Sequence, residues 1–161
     1  MNMLVRRAGL EDAEAVRAIR LEALLDSPGA YGTIYDDVAG WTIEQWRDTL
    51  VEPGHILGEV DGRVRGMARG GTHGDFPGET WLFGMYVGPD ARASGLADLL
   101  VDAVQDWARE RGAAALHLAV ALEMTRAVSF YRRRGFVEVG DVRYMKRDGS
   151  SAIQTMVVRL D

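Results

Sequence analysis

Six consecutive residues, Arg92-Ala93-Ser94-Gly95-Leu96-Ala97, are the part of this chain best suited to holding a charged ligand. Small side chains at Ala93, Ser94, Gly95 and Ala97 let a backbone approach another molecule closely. From Leu96 onward the apolar residues Leu96, Leu99, Leu100, Ala103, Val104, Trp107 and Ala108 recur three and four apart, as on one face of a helix. A helix that begins here presents unpaired N–H groups and a partial positive charge. The combination is an anion cradle, suited to a phosphate. Its spacing is neither the G-x-G-x-x-G of a dinucleotide site nor the G-x-x-x-x-G-K-[ST] of a triphosphate loop. Ser94 has no G-x-S-x-G elbow around it and reads as part of the cradle, not as a nucleophile.

Other reactive residue types are less organised. His55, His73 and His117 have no metal-ligand spacing and there is no cysteine, so no metal is expected. Glu79 reads as a solvated residue at a loop–strand junction. Tyr31, Tyr35, Trp41 and Trp46 cluster among acidic residues; Trp46 reads as core, and Trp41, after Gly40, as the better pocket candidate. Arg132-Arg133-Arg134 closes a helix, where positive charge is favourable by itself.

These residues need a scaffold, and the sequence supplies one. At 161 residues, 47% hydrophobic and 27% charged, the chain reads as a single domain over 1–161. A net charge of −5 argues against broad nucleic-acid binding. No segment reads as a signal peptide or a membrane span, so the expected location is cytoplasmic. Met3 to Arg7 reads as a strand, and Asp12 as the cap of a helix reaching about Leu25 with Val16, Ile19, Ala23 and Leu24 buried. Thr42 caps a second helix to about Leu50. His55–Val60 and Arg63–Arg69 read as a hairpin about Asp61-Gly62. Gly70 to Glu79 reads as a loop, Thr80–Val87 as a strand, and Leu96 to about Arg111 as a helix. Leu116–Val120 is a strand, and a helix opened by Thr125 or Glu123 stops at Gly135. Val137–Val139 and Ile153–Leu160 are closing strands, with a turn at Arg147-Asp148-Gly149-Ser150 before the last. This order is a mixed α/β domain about one sheet.

Two motifs in this order resemble those of the GNAT N-acetyltransferase superfamily. The cradle is R-x-x-G-x-A, preceded by Val87 and Pro89. Downstream, Ala127, Phe130, Tyr131, Gly135 and Phe136 form A-x-x-F-Y-x-x-x-G-F. The resemblance implies a mixed sheet whose fourth and fifth strands splay, with acetyl-coenzyme A as co-substrate. It implies that the backbone of Met85, Tyr86 and Val87 bonds the pantetheine arm, and that the pyrophosphate lies on Arg92, Ala93, Ser94, Gly95, Leu96 and Ala97. A helical tyrosine is ordinarily core, but the resemblance gives Tyr131 the role of protonating the departing thiolate. Relatives often carry a Glu general base on the fourth strand; that position here is Trp81, and Glu79, two residues earlier on the same strand face, is the candidate base. Two positions depart from the pattern: Ala93, where many relatives have Gly, and Met124, where many have Asn and where methionine offers no hydrogen bond. The implied function is direct acetyl transfer to a primary amine of a small molecule or peptide. The alternative is a non-catalytic acyl-coenzyme A sensor. Residues 26–42 and 70–80 are expected to shape the acceptor site, and a homodimer is one open oligomeric state.

Overall fold

The computed structural model describes residues 1–145, 149 and 151–161; Arg147, Asp148 and Ser150 of the expected turn lie outside them. The described strands form one seven-stranded sheet in the order β1-β2-β3-β4-β5-β7-β6. These are β1 (Met3–Arg7), β2 (His55–Val60), β3 (Arg63–His73), β4 (Phe76–Val87), β5 (Ala115–Ala121), β6 (Val137–Tyr144) and β7 (Ala152–Arg159). Neighbours pair antiparallel except β4 and β5, which are parallel.

Successive residues of the inner strands point to opposite faces and fill two cores. Ile56, Ala68 and Leu82 pack under α4 (Leu96–Glu110) and join Val128 and Tyr131 of α5 (Thr125–Arg133). Leu57, Met67 and Tyr86 pack under α1 (Ala13–Asp26) and α3 (Ile43–Thr49). A single-turn helix, α2 (Tyr35–Val38), precedes α3 and is not visible in the hydrophobic pattern. Leu96 and Leu100 are fully buried, a contribution of about 1.5–3 kcal/mol each. Leu99 is exposed and Val101 buried, so the buried stripe of α4 is rotated from the expected one.

Two expectations need correction. Asp12 precedes α1, but its carboxylate does not cap it; it accepts from Gly9 N at 2.8 Å and pairs with Arg6, tying the helix entry to β1. Gly70 to Glu79 is mostly strand, because β3 runs on to His73 and β4 starts at Phe76. Gly70 serves close packing, not flexibility: a Cβ there would lie 2.3 Å from Trp107 Cε3 of α4. Elsewhere the residues fit their places. Thr42 and Gln45 form a reciprocal capping box on α3, and the closing hairpin is longer than expected, with β6 reaching Tyr144.

The middle of β4 decides what the sheet can do. Between the pairs Met67–Tyr86 and Arg69–Phe83, β3 advances two residues and β4 three. The extra residue makes a β-bulge at Gly84, whose φ of +60° lies in the left-handed region. A bulge bends its strand and strengthens the local twist. Accordingly β4 meets β5 at one register pair, Trp81 opposite His117, and then leaves it. The fourth and fifth strands are splayed.

Candidate active site

The splay opens a cleft of about 1170 Å³ across the centre of the sheet. Met85, Tyr86 and Val87 form one wall and Leu118, Ala119 and Val120 the other. The Tyr86 side chain turns away into the α1 core, where its hydroxyl donates to Glu22 at 2.8 Å. Glu22 also receives both terminal nitrogens of Arg65, which in turn holds Asp90. This chain of contacts pins the end of β4 to α1. Arg65 keeps the Glu22 carboxyl below its usual range, while burial, then Glu22, pushes the Tyr86 phenol up.

At the end of β4 a 3₁₀ turn, Pro89–Ala91, leads into the cradle. Ala93 adopts φ +61° and Gly95 φ +98°. The left-handed conformation explains why glycine suits position 93; Ala93 bears its strain, about 1–2 kcal/mol for an L-residue. The Ser94 hydroxyl donates to Ala91 O and accepts from Leu96 N at 3.2 Å, closing the turn. The next N–H groups of α4, on Ala97 and Asp98, have no intrahelical acceptor. Arg92, Ala93 and Ala97 line the cleft, whereas the Leu96 side chain is wholly core. Arg92 donates to Val87 O at 3.0 Å and to Asp26 at 2.6 Å.

Tyr131 lies across the cleft, 7% exposed, edge-on to Phe130 and Phe136 at 5.3 and 5.6 Å. Its hydroxyl has no hydrogen-bond partner among the described residues, and burial pushes its pKa up, so it stays protonated. Met124 lines the cleft at the start of α5 with no side-chain cap. Tyr31 reaches over β4 and donates to Met85 O at 2.8 Å; burial raises its phenol to about 12.

The far end of the cleft is aromatic and cationic. Trp46, Trp81 and His55 line it with Arg20 and Arg69. The indole N–H groups of Trp46 and Trp81 are buried without a partner among the described residues. Burial, then Arg69, pulls His55 down to about 4, so it is neutral at pH 7 and too weak a base to deprotonate an amine. Glu79 is outside this cleft. It borders a smaller hollow beside Ala113 and Ala115, its Oε1 3.7 Å from His117 Nε2. The candidate base of the sequence reading therefore does not face Tyr131's cleft. Trp41 is not in the lining either; it packs on Trp46 with ring centroids 5.0 Å apart, and Trp46, expected to be core, is both buried and lining. From 26–42 the lining takes Ser27 and Ala30 to Thr33, and from 70–80 it takes His73. Arg132 and Arg134 pair with Glu138 and with Asp98 and Asp102, a structural role.

Arg20 and Arg69 match no motif in the sequence, though a signal exists. Arg20 follows Val16 by four residues on α1, and Arg69 follows Met67 by two on β3. Both spacings place a cation on or beside the buried face. Among the described residues no group of three potential metal ligands converges, and no helix is long and apolar enough to cross a membrane.

The profile of the Acetyltransferase (GNAT) family matches residues 16–136. An L-methionine sulfoximine/L-methionine sulfone acetyltransferase of Pseudomonas aeruginosa is 27% identical over 141 residues, 84% of this chain and 81% of that protein. Among solved structures, a GNAT acetyltransferase from Streptococcus pneumoniae superposes with a TM-score of 0.82 at 21% identity, covering 99% of this chain and 100% of the other. An acetyltransferase from Salmonella typhimurium, solved with its cofactor acetyl-CoA, gives 0.76 at 24% identity, covering 100% and 95%. The matched span contains both motifs and both splayed strands, and the chain belongs to the acetyltransferase (GNAT) family of acyltransferases.

Proposed function

We propose that this protein transfers an acetyl group from acetyl-CoA to the primary amine of a small molecule. The observation that carries this reading is that one cleft joins three things: the open edge of β4, the cradle at the start of α4, and the Tyr131 hydroxyl. The relative named for L-methionine sulfoximine and sulfone supports a small acceptor.

The residues present fit the co-substrate. Main-chain groups of Met85 to Val87 would pair with the pantetheine amides as an added strand does. Tyr31 and Arg92 already donate to Met85 O and Val87 O, and each carbonyl keeps a second lone pair. Arg92 to Ala97 would hold the pyrophosphate, with Ala97 and Asp98 N–H at the positive end of α4. Acetyl-CoA supplies an acyl group activated as a thioester.

Chemistry then asks little beyond positioning and one proton. A C–N bond forms as the C–S bond breaks; the amine gives up a proton and the thiolate takes one. Tyr131 holds the second of these protons. For the first, the described residues of the cleft offer no carboxylate base near Tyr131, and its cations favour the neutral form of an entering amine. The amine therefore enters unprotonated or loses its proton to water.

The test is thiol release from acetyl-CoA over a panel of amines, with acetyl-CoA binding measured alongside. Release with at least one small amine is expected. Tight binding with no release from any amine would refute transfer.

A further inference from the structure

The chain matches its half-buried arginines with carboxylates. Arg6 holds Asp12 and Glu59, Arg65 holds Glu22 and Asp90, and Arg134 holds Asp98 and Asp102. Arg143, at the cleft edge on β6, instead donates to Thr155 Oγ1 at 3.0 Å. Arg20 and Arg69 break the pattern. Neither has a carboxylate partner within salt-bridge distance among the described residues, although Glu22 and Asp26 on the same helix as Arg20 are committed to other arginines.

The two guanidiniums share one place. The Arg69 guanidinium stacks over the Phe83 ring at 4.5 Å. Arg20 Nη1 lies 3.3 Å from where a Cβ on Gly84 would stand, and its guanidinium sits over the Tyr31 ring at 5.3 Å. Phe83 and Gly84 are consecutive at the bulge, so both cations converge on the point where β4 leaves β5. Burial lowers the pKa of both, and Arg20 depresses Arg69 further; Glu52 opposes that only at a distance. Among the described residues Glu52 is the one carboxylate in the cleft lining, and His55 beside the pair is neutral. The wall is thus rich in donors and poor in acceptors, inside a chain of net charge −5.

A desolvated cation without a counter-ion is costly, and an anion that supplies one binds with charge-assisted hydrogen bonds. Coenzyme A phosphates are the wrong anion for this place. Arg69 pairs opposite Phe83, four residues before Val87, which is about 13 Å of strand from the end where the cradle begins. The arginines stand at the acyl end.

We infer that Arg20 and Arg69 hold the anionic group of the acceptor, and that the acceptor is a small amine carrying a carboxylate or an isosteric oxyanion, in the manner of an α-amino acid. The inference rests on the acetyl-transfer reading and sharpens its substrate class. Cationic acceptors without an acidic group, such as polyamines, are selected against by the same two charges. The bulge at Gly84 brings the acceptor anchor and the reactive stretch of β4 within one or two residues, which orients the amine relative to the thioester.

The test compares free L-α-amino acids with their carboxamides and with the decarboxylated amines of the same side chain, read as thiol release. Wild-type enzyme is expected to prefer the best acid over its amide by about 10- to 100-fold in kcat/KM, the scale of one or two charge-assisted hydrogen bonds. Arg20→Gln and Arg69→Gln are each expected to remove most of that preference, raising the acceptor KM more than the acetyl-CoA KM. The lysine variants, Arg20→Lys and Arg69→Lys, should restore part of it. The comparison of acceptors on wild-type enzyme stands even where a variant fails to fold. Equal use of acids and amides, or better use of polyamines, would overturn the inference while leaving acetyl transfer intact. A rise in acetyl-CoA KM as large as that of the acceptor would assign the arginines to the cofactor and also overturn it. No release from any amine would refute transfer itself, and the inference with it.

Discussion

Tyr131→Phe is the sharpest perturbation of the proposed chemistry. The substitution removes one oxygen and keeps the ring against Phe130 and Phe136. Because the hydroxyl has no partner among the described residues, its loss leaves no buried group orphaned, and stability should change by no more than about 0.5 kcal/mol. The chemical cost is larger. Burial raises the phenol above its ordinary value near 10, so wild-type Tyr131 carries its proton throughout the neutral range. General acid catalysis is worth about 10²- to 10⁴-fold, or about 2.7–5.4 kcal/mol at 1.36 kcal/mol per decade. The turnover number should fall by that factor in a thiol-release assay, with the acetyl-CoA dissociation constant from calorimetry little changed. The direction of the shift adds a second readout. An acid with a raised pKa keeps its proton as pH rises, so the wild-type rate should show no alkaline loss from Tyr131 below about pH 10. A fall of less than about threefold in a folded variant would refute the reasoning: the thiolate would be leaving without Tyr131.

Two further outcomes follow from the backbone and from His55. Ala93→Gly relieves a left-handed alanine; set against glycine's extra unfolded-state entropy, the net gain should reach about 1 kcal/mol in denaturant unfolding, and a loss of stability would contradict the assigned φ. For His55 the folded pKa of about 4 lies below the unfolded value of 6.5, so the unfolded chain binds more protons between them. Its contribution is intact above about pH 6.5 and is lost as pH falls toward 4. The stability difference between wild type and His55→Gln should therefore vary with pH across this window; a flat difference would mean His55 titrates normally.

Legibility differed sharply from one residue to the next. The helix of α4 and the cradle before it could be read because both are local: period, small residues and helix start lie within twenty positions. The splay followed from resemblance, yet its cause at Gly84 could not be read, since a bulge is a mismatch between two strands and neither strand states it alone. Gly70 reads as loop from the sequence because glycine has two uses, and only the position of Trp107 separates them. Tyr31 looked like one of four clustered aromatics; its hydrogen bond to Met85 O spans a separation that no window covers. Glu79 and Trp41 were displaced for the same reason: strand and helix periodicity gives a face, not what lies opposite it. For Arg20 and Arg69, spacing sets a cation beside the buried face, but it does not say that among the described residues no carboxylate meets it there.

The single register pair between β4 and β5 has a consequence for the life of the chain before it meets any substrate. Beyond Trp81 and His117 both strands present unpaired backbone in the middle of the sheet, so the protein carries two edges where most folds keep their best-protected strands. Exposed edges invite pairing with other chains. A ligand whose amides complete the ladder is in this sense a missing strand, and it acts on proteostasis as well as on reaction rate. By mass action, free ligand at 100 times its dissociation constant adds about 2.7 kcal/mol to the native state. Acetyl-CoA should then raise the melting temperature of the folded chain and slow its proteolysis.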